Sequence, residues 1–195
     1  MNDITKVKTI YVVGINDADY IISPTINGKQ VMCPFYRKWH NMLKRCYSVN
    51  YQVKQPSYVG CTVSKEWLTF SNFKAWMEKQ DWQGKQLDKD LLIQGNKIYS
   101  PEACLFVTKY INGLLTNCKS ARGKLPQGVC WDKQAKKYTV KCNVNGKPKY
   151  LGLFDTPKAA SEAYKTFKYN LISEVAQLQV EPLRSALLNY KILGE

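Results

Sequence analysis

The chain has 195 residues, of which 29 are Lys or Arg against 15 Asp or Glu, for a net charge of +14. With 45% apolar residues and five tryptophans it can fill the cores of two small domains, or of one domain with an appendage. No stretch approaches the roughly 18 apolar residues of a spanning helix, and the first residues lack a signal-peptide pattern, so a cytoplasmic protein without a membrane partner is expected. Seven cysteines (33, 46, 61, 104, 118, 130 and 142) are odd in number, scattered, and never spaced C-x-x-C. That pattern speaks against a disulfide framework or a zinc ribbon and for free, mostly buried thiols.

In chain order, residues 9–13 (TIYVV) have a strand composition, and Gly14 to Asp19 a turn composition. Residues 34–47 predict a helix with Phe35, Trp39, Met42, Leu43 and Cys46 on one face. Arg37, Lys38, Lys44 and Arg45 lie elsewhere on it, either against phosphates or as a solvated surface. A loop containing Pro56 leads to Val63. Glu66 to Lys79 then predicts a second amphipathic helix, with Trp67, Phe70, Phe73, Trp76 and Met77 directed to the core. In 87–117 a strand over Leu87 to Asp90, a turn at Gln94-Gly95-Asn96, a return near Lys97 to Tyr99 and a helix from about Thr108 are expected. Residues 118–127 (CKSARGKLPQ) have the composition of a linker.

Beyond the linker the pattern becomes regular. From Lys137 to Val144 the residues alternate, with Tyr138, Val140, Cys142 and Val144 on one side and Lys137, Thr139, Lys141 and Asn143 on the other. Asn145-Gly146 is a strong two-residue hairpin signal, and a second strand follows from Lys149 to Phe154. Asp155 or Thr156 caps a helix with Pro157 in its first turn and an apolar stripe of Ala159, Ala160, Ala163, Tyr164 and Phe167. That helix covers one face of the sheet and leaves a lysine-bearing face in water, a shape that fits a DNA major groove. Residues 119–170 hold 12 basic and 3 acidic residues, so the positive charge concentrates here and attracts polyanions through counterion release. The helix is expected to run to about Gln179. After Pro182 a short amphipathic segment, Leu183 to Leu193, either packs back or supports self-association through 171–195.

Two resemblances add to this reading. Gly128-Val129-x-Trp131, Lys137-Tyr138, Val144-Asn145-Gly146-Lys147, Tyr150-Leu151-Gly152-x-Phe154-Asp155-Thr156 and Ala159-Ala160-x-x-Ala163-Tyr164 resemble the ethylene-response-factor (APETALA-type) DNA-binding domain. That family reads double-stranded DNA with its exposed sheet face. The resemblance implies Lys137, Thr139, Lys141, Asn143 and Tyr150 as reading positions, with Lys133 and Lys147 as further DNA-binding lysines. The arginines that contact guanine in plant members are absent, so base preference does not carry over.

Residues 34–117 resemble the phage HNH (ββα-metal) homing endonucleases. The likeness rests on Trp39-x-x-Met42-Leu43-x-Arg45-Cys46, Tyr58-x-Gly60-Cys61-x-Val63, Glu66-Trp67-Leu68, Phe70-x-x-Phe73, Leu87-Asp88-x-Asp90, Tyr99-x-Pro101-Glu102-x-Cys104 and Ile111-Asn112. It implies Asp88 and Asn112 as ligands of a catalytic Mg²⁺ or Mn²⁺, with Asp90 as a third oxygen. Lys89 stands where the general-base histidine would be, and Ala103 where an asparagine would steady the active-site loop. An ordinary lysine is protonated at neutral pH and makes a poor base, although it can hold a phosphate or stabilise developing charge. His40, the single histidine, is the other candidate base.

The expected architecture is α+β. An HNH-like ββα-metal module with flanking helices (1–117) and a linker (118–127) precede a three-stranded antiparallel sheet packed on one helix (128–170), and a helical tail (171–195) ends the chain. The expected function is metal-dependent, site-directed nicking or cleavage of duplex DNA, in the host-cell cytoplasm if the protein is phage-encoded. The alternative is a non-catalytic DNA-binding regulator derived from a degenerate nuclease. An adaptor that turns the basic face to an acidic protein is a third class.

Overall fold

A computed structural model describes residues 9–116 and 123–192. Helix and strand are mixed, as expected of an α+β protein, and the chain divides into two compact units, Met1–Phe106 and Val107–Glu195. The division falls ahead of the helix at 109 rather than at 117. That helix is tied to later chain: Gln127 Nε2 donates to Thr116 O at 3.0 Å and Tyr190 Oη donates to Leu115 O at 3.0 Å. The expected linker 118–127 lies partly outside the described residues.

The first unit is built around aromatic side chains. Strands β1 (Thr9–Ile10) and β2 (Gly14–Ile15) form a tight hairpin, and β3 (Thr25–Ile26) pairs with β4 (Lys29–Gln30). Helix α1 (Pro34–Tyr47) has the predicted bounds, with Pro34 in its first turn and Trp39, Met42, Leu43 and Cys46 buried. Tyr36 takes the fully buried place expected for Phe35, which is only partly covered. Helix α2 (Val49–Lys54) is capped by Ser48, whose Oγ accepts from Tyr51 N at 3.3 Å. A 3₁₀ turn follows at Pro56–Tyr58, then β5 (Thr62–Val63).

The expected helix from Glu66 to Lys79 is split into a 3₁₀ turn, Glu66–Leu68, and α3 (Phe70–Glu78). Thr69 is extended at the joint (φ −93°, ψ 127°), which lets Trp67 turn inward ahead of α3. Trp39, Trp67, Phe70, Phe73 and Met77 are buried together, and Trp39 Nε1 donates to Trp67 O at 2.7 Å. Among the described residues Ser64 Oγ and Trp67 Nε1 are buried side-chain polar atoms without a partner. Gly14 packs on this cluster so closely that a Cβ there would meet Leu43 Cδ1 at 2.4 Å.

The expected hairpin between 87–90 and 97–99 does not form. β6 (Gln86–Asp88) pairs instead with β8 (Leu105–Val107), while β7 (Ile98–Tyr99) pairs in parallel with β5. Thr62 N donates to Lys97 O and Ser64 N to Tyr99 O, both at 2.9 Å. The order strand, strand, helix survives, with the second strand at 105–107 and helix α4 (Lys109–Leu115) directly after it. Thr108 caps α4, its Oγ1 accepting from Ile111 N at 3.2 Å.

The second unit centres on a three-stranded antiparallel sheet ordered β11-β10-β9, formed by β9 (Val129–Asp132), β10 (Lys137–Val144) and β11 (Lys147–Phe154). Asn145 (φ 51°) and Gly146 (φ 80°) both adopt the left-handed conformation that a type I′ turn requires. Gly128 (φ 77°) is obligatory on two counts, since a Cβ there would also lie 2.2 Å from the Tyr164 ring. Thr156 caps α5 (Pro157–Gln177), its Oγ1 accepting from Ala159 N at 3.1 Å.

The buried stripe of α5 is Ala160, Ser161, Tyr164, Lys168, Leu171, Ile172, Val175 and Ala176, with Ala159 exposed and Ala163 and Phe167 half-buried. Because α5 continues unbroken past Asn170, no boundary falls between a reader at 128–170 and a tail at 171–195. Helix α6 (Leu183–Leu188) packs back onto α5 through Leu187, and Ile192 N donates to Tyr169 Oη at 3.1 Å. No helix among the described residues is long and apolar enough to cross a membrane.

Candidate nucleic-acid interface and metal site

Strand register decides which side chains share a face. In β10, Tyr138, Val140, Cys142 and Val144 turn toward α5, and Lys137, Thr139, Lys141 and Asn143 turn away from it, as the alternation predicts. Across β11 the pairing is Tyr138 with Phe154, Thr139 with Leu153 and Val140 with Gly152. It then slips by one residue, so that Lys141 faces Tyr150. The extra residue is Leu151, a β-bulge.

The bulge has two effects. Tyr150, which strict alternation would place under α5, comes out beside Lys141 and is 56% exposed. Lys147 and Lys149 go to the other side, opposite Val144 and Cys142, and Lys149 Nζ sits 4.8 Å from the centre of the Phe167 ring on α5. Lys147 is exposed, yet it belongs to the α5 face, so it does not join the expected reading set. The outward face therefore gathers Lys137, Thr139, Lys141, Asn143 and Tyr150, together with Leu153 and Cys130, which sequence reasoning missed.

The lysines of this face are not equivalent. Lys137 Nζ pairs with Asp155 Oδ1 at 3.1 Å, whereas among the described residues no carboxylate lies within ion-pairing distance of Lys141. Lys133 stands in the exposed β9–β10 turn, where Asp132 Oδ1 accepts from Gln134 N and Ala135 N at 2.9 and 3.0 Å. On the opposite face Cys142 is buried beside Tyr164 and Lys168, and burial raises its thiol pKa. The free thiols match the expectation, with Cys46, Cys61, Cys104 and Cys142 buried, Cys33 partly so and Cys130 exposed; Cys118 lies outside the described residues.

The acidic site lies at the end of β6. Asp88 Oδ1 accepts from Asp90 N at 3.0 Å and from Leu91 N at 2.8 Å, so the carboxylate caps its own turn. Burial and then the nearby Asp90 charge push the Asp88 carboxyl up to about 6, against these two backbone bonds, and the two carboxyls also share a side-chain hydrogen bond.

Lys89 is buried at 7% exposure. Its Nζ donates to Asp90 Oδ2 at 3.0 Å and to Asn96 O at 2.9 Å. Asn96 completes the knot by donating from Nδ2 to Lys89 O at 2.6 Å and to Ile98 O at 2.7 Å. These bonds close residues 89–98 in place of the expected hairpin ladder. Lys89 thus points into its own loop, not outward as a base or a phosphate clamp would.

The ligand set implied by the nuclease resemblance divides between the units, because Asn112 is a half-buried residue of α4. His40 packs against the rings of Tyr11 and Tyr36, centroids 5.4 and 6.1 Å away, and burial lowers its pKa. Among the described residues no group of three His, Cys, Asp or Glu side chains gathers in a metal-binding arrangement. Asp88 and Asp90 by themselves offer two adjacent hard-oxygen ligands. Such a pair fits a Mg²⁺ or Mn²⁺ ion that keeps most of its waters. Compared with known proteins, the chain matches no family model, no curated protein and no solved structure.

Proposed function

We propose that this is a double-stranded DNA-binding protein that lays the outward face of β9–β11 into the major groove, while α5 backs the sheet from the other side. The observation that carries this reading is the composition of that face. Lys141, with no carboxylate partner among the described residues, stands together with Asn143, Thr139 and Tyr150, offering a phosphate or guanine contact, an adenine contact and apolar contacts. The first unit is read as a nuclease-like module that no longer cleaves. The side chain at the base position, Lys89, is consumed by Asp90 and Asn96 O.

A second reading, metal-dependent nicking of duplex DNA, is favoured by one feature, the adjacent carboxyls of Asp88 and Asp90. A divalent ion there would supply Lewis acidity toward a phosphoryl oxygen and lower the pKa of water without a protein base. Asp88 and Asp90 would hold it, and Lys89 would keep Asp90 in place.

The test begins with duplexes selected from a random library by the intact protein. One selected site is then placed on a supercoiled plasmid and incubated with Mg²⁺ or Mn²⁺, with and without EDTA. Retention of selected duplex with the plasmid left supercoiled is the expected result. EDTA-sensitive nicks that disappear in Asp88→Ala would replace the first reading with the second. No enrichment of duplex over unselected DNA would end both.

A further inference from the structure

Near the C-terminal end of α1 two cations and three phenols are packed together, and among the described residues no carboxylate pairs with either cation. The Arg45 guanidinium lies over the Tyr58 ring, 5.5 Å from its centre, and Nη1 makes only a long 3.5 Å contact to Tyr99 Oη. Lys44 Nζ lies 5.5 Å from the centre of the Tyr51 ring, and the Tyr51 and Tyr58 rings are 5.8 Å apart.

The arrangement is held rigidly. Gln52 Nε2 donates to Cys46 O at 2.7 Å and to Arg45 O and Tyr58 O at 3.3 Å, clamping the end of α1 to the turn that carries Tyr58. Cys61 N donates to Tyr58 O at 3.0 Å, and Lys97 Nζ to Ser57 O at 2.8 Å. The buried Lys89 and its partner Asp90 lie within electrostatic reach of the Tyr58 hydroxyl.

A half-buried guanidinium has given up water and is stabilised by an anion presented to its planar fork. Burial works against the charge of Arg45, but the surrounding tyrosine hydroxyls outweigh it and hold the guanidinium pKa above its ordinary value. Asp90, a carboxylate within electrostatic reach of Tyr58, is taken by Lys89. The remaining N–H donors of Arg45, the hydroxyls of Tyr58 and Tyr51 and the Lys44 ammonium are neighbouring donors of the kind a phosphate takes, through charge-assisted bonds from several directions.

We infer that Arg45, Tyr58, Tyr51 and Lys44 form a phosphate-binding site in the first unit, separate from the sheet face of the second. If the DNA reading above holds, the phosphate is a backbone phosphodiester and the first unit adds one anchored contact to duplex binding. If it does not, the site takes free phosphate.

The experiment uses the intact chain and two probes. Inorganic phosphate is titrated by calorimetry into wild type, Arg45→Lys and Tyr58→Phe at constant ionic strength, with the thermal midpoint in chloride confirming that each variant is folded. Saturable binding to wild type is expected, weakened by about tenfold or more in Arg45→Lys, the scale of one lost charge-assisted hydrogen bond, and less in Tyr58→Phe. In parallel, duplex affinity is measured against salt. Arg45→Gln is expected to flatten the slope of log K against log salt by about 0.9, one phosphate contact.

No phosphate binding to wild type, or equal binding to folded Arg45→Lys, overturns the inference even if duplex binding through Lys141 persists. Phosphate binding through Arg45 with no duplex binding upholds the site and removes the DNA reading, leaving free phosphate as its ligand. Duplex binding with an unchanged slope in Arg45→Gln, alongside phosphate binding, assigns the site to free phosphate as well.

Discussion

In the second unit the backbone ladder of β9–β11 carries the order, whereas in the first the strands are two or three residues long and side chains tie the chain together. The second unit needs few large aromatic side chains, because two eight-residue strands form a long backbone ladder whose register is set by the Asn145-Gly146 turn and by the apolar face buried under α5. The first depends on fully buried Trp39, Trp67, Phe70 and Phe73, and on Asn96 and Lys89 filling donor and acceptor positions that a ladder would otherwise satisfy. Substitutions should therefore act through lost volume in one unit and through lost register or surface charge in the other.

The largest effect is expected from Trp39→Ala. It deletes a side chain of zero exposure and the bond to Trp67 O, and such truncations cost about 3–5 kcal/mol. Denaturant melts followed by tryptophan fluorescence should show the loss, while the far-UV signature of α5 persists. Loss of α5 together with the aromatic core would erase the contrast between the units. Asn96→Ala comes next. It strands the part-buried Lys89 O at a cost of about 1–3 kcal/mol, while the exposed Ile98 O is taken up by water, and faster amide exchange across 89–98 should report it.

Acidity sharpens the contrast further, because the raised Asp88 carboxyl lies in the first unit. Its folded pKa, about 6, exceeds the ordinary value of 3.8, so the folded state binds the proton more tightly than the unfolded one. The associated stability is fully present below about pH 4 and is lost as pH rises through 6. Without divalent ions, the first unit's midpoint should fall over that window. Asp88→Asn, which still offers an oxygen to Asp90 N and Leu91 N, should flatten the profile. An unchanged profile in the variant would show that another group titrates.

Smaller effects belong to the sheet face. Lys141→Ala should lower the salt slope of duplex binding by about 0.9, and Lys137→Ala by less, because Asp155 already neutralises part of its charge. Equal losses would mean that the Lys137–Asp155 pair opens on binding. Asn143→Ala should change the preference among selected duplexes more than the mean affinity, as expected of a base contact rather than a phosphate contact.

What the sequence revealed follows the same division. Asn145-Gly146, Thr156-Pro157 and the alternation of 137–144 are local signals, and each element they predict is present at the expected place. Pro34 and the apolar period likewise mark α1 to the residue. The pairing of β6 with β8 and of β5 with β7 was not legible, since strands this short carry no periodicity and their partners are chosen by tertiary contact. Burial of Lys89 was hidden for a related reason: a lysine in a polar run gives no sign that an asparagine carbonyl seven residues on will receive it. Arg45 could be placed on the helix surface, but its neighbours Tyr58 and Tyr99 come from distant segments.

The bulge at Leu151 makes the groove-facing half of β11 a matter of phase. Deleting Leu151 would leave Tyr150 opposite Lys141 and Lys149 opposite Cys142, so the displayed face would not change. Straightening the strand with Leu151 retained would instead pair Leu151 with Lys141, turning Tyr150 under α5 and swinging Lys149 and Lys147 into the solvent face without altering any side chain of β10. A strand straightened in this way would be expected to trade discrimination among sites for indiscriminate, strongly salt-sensitive attachment. Recognition by this sheet can therefore evolve by shifting a strand one step along its partner as well as by replacing the residues it displays.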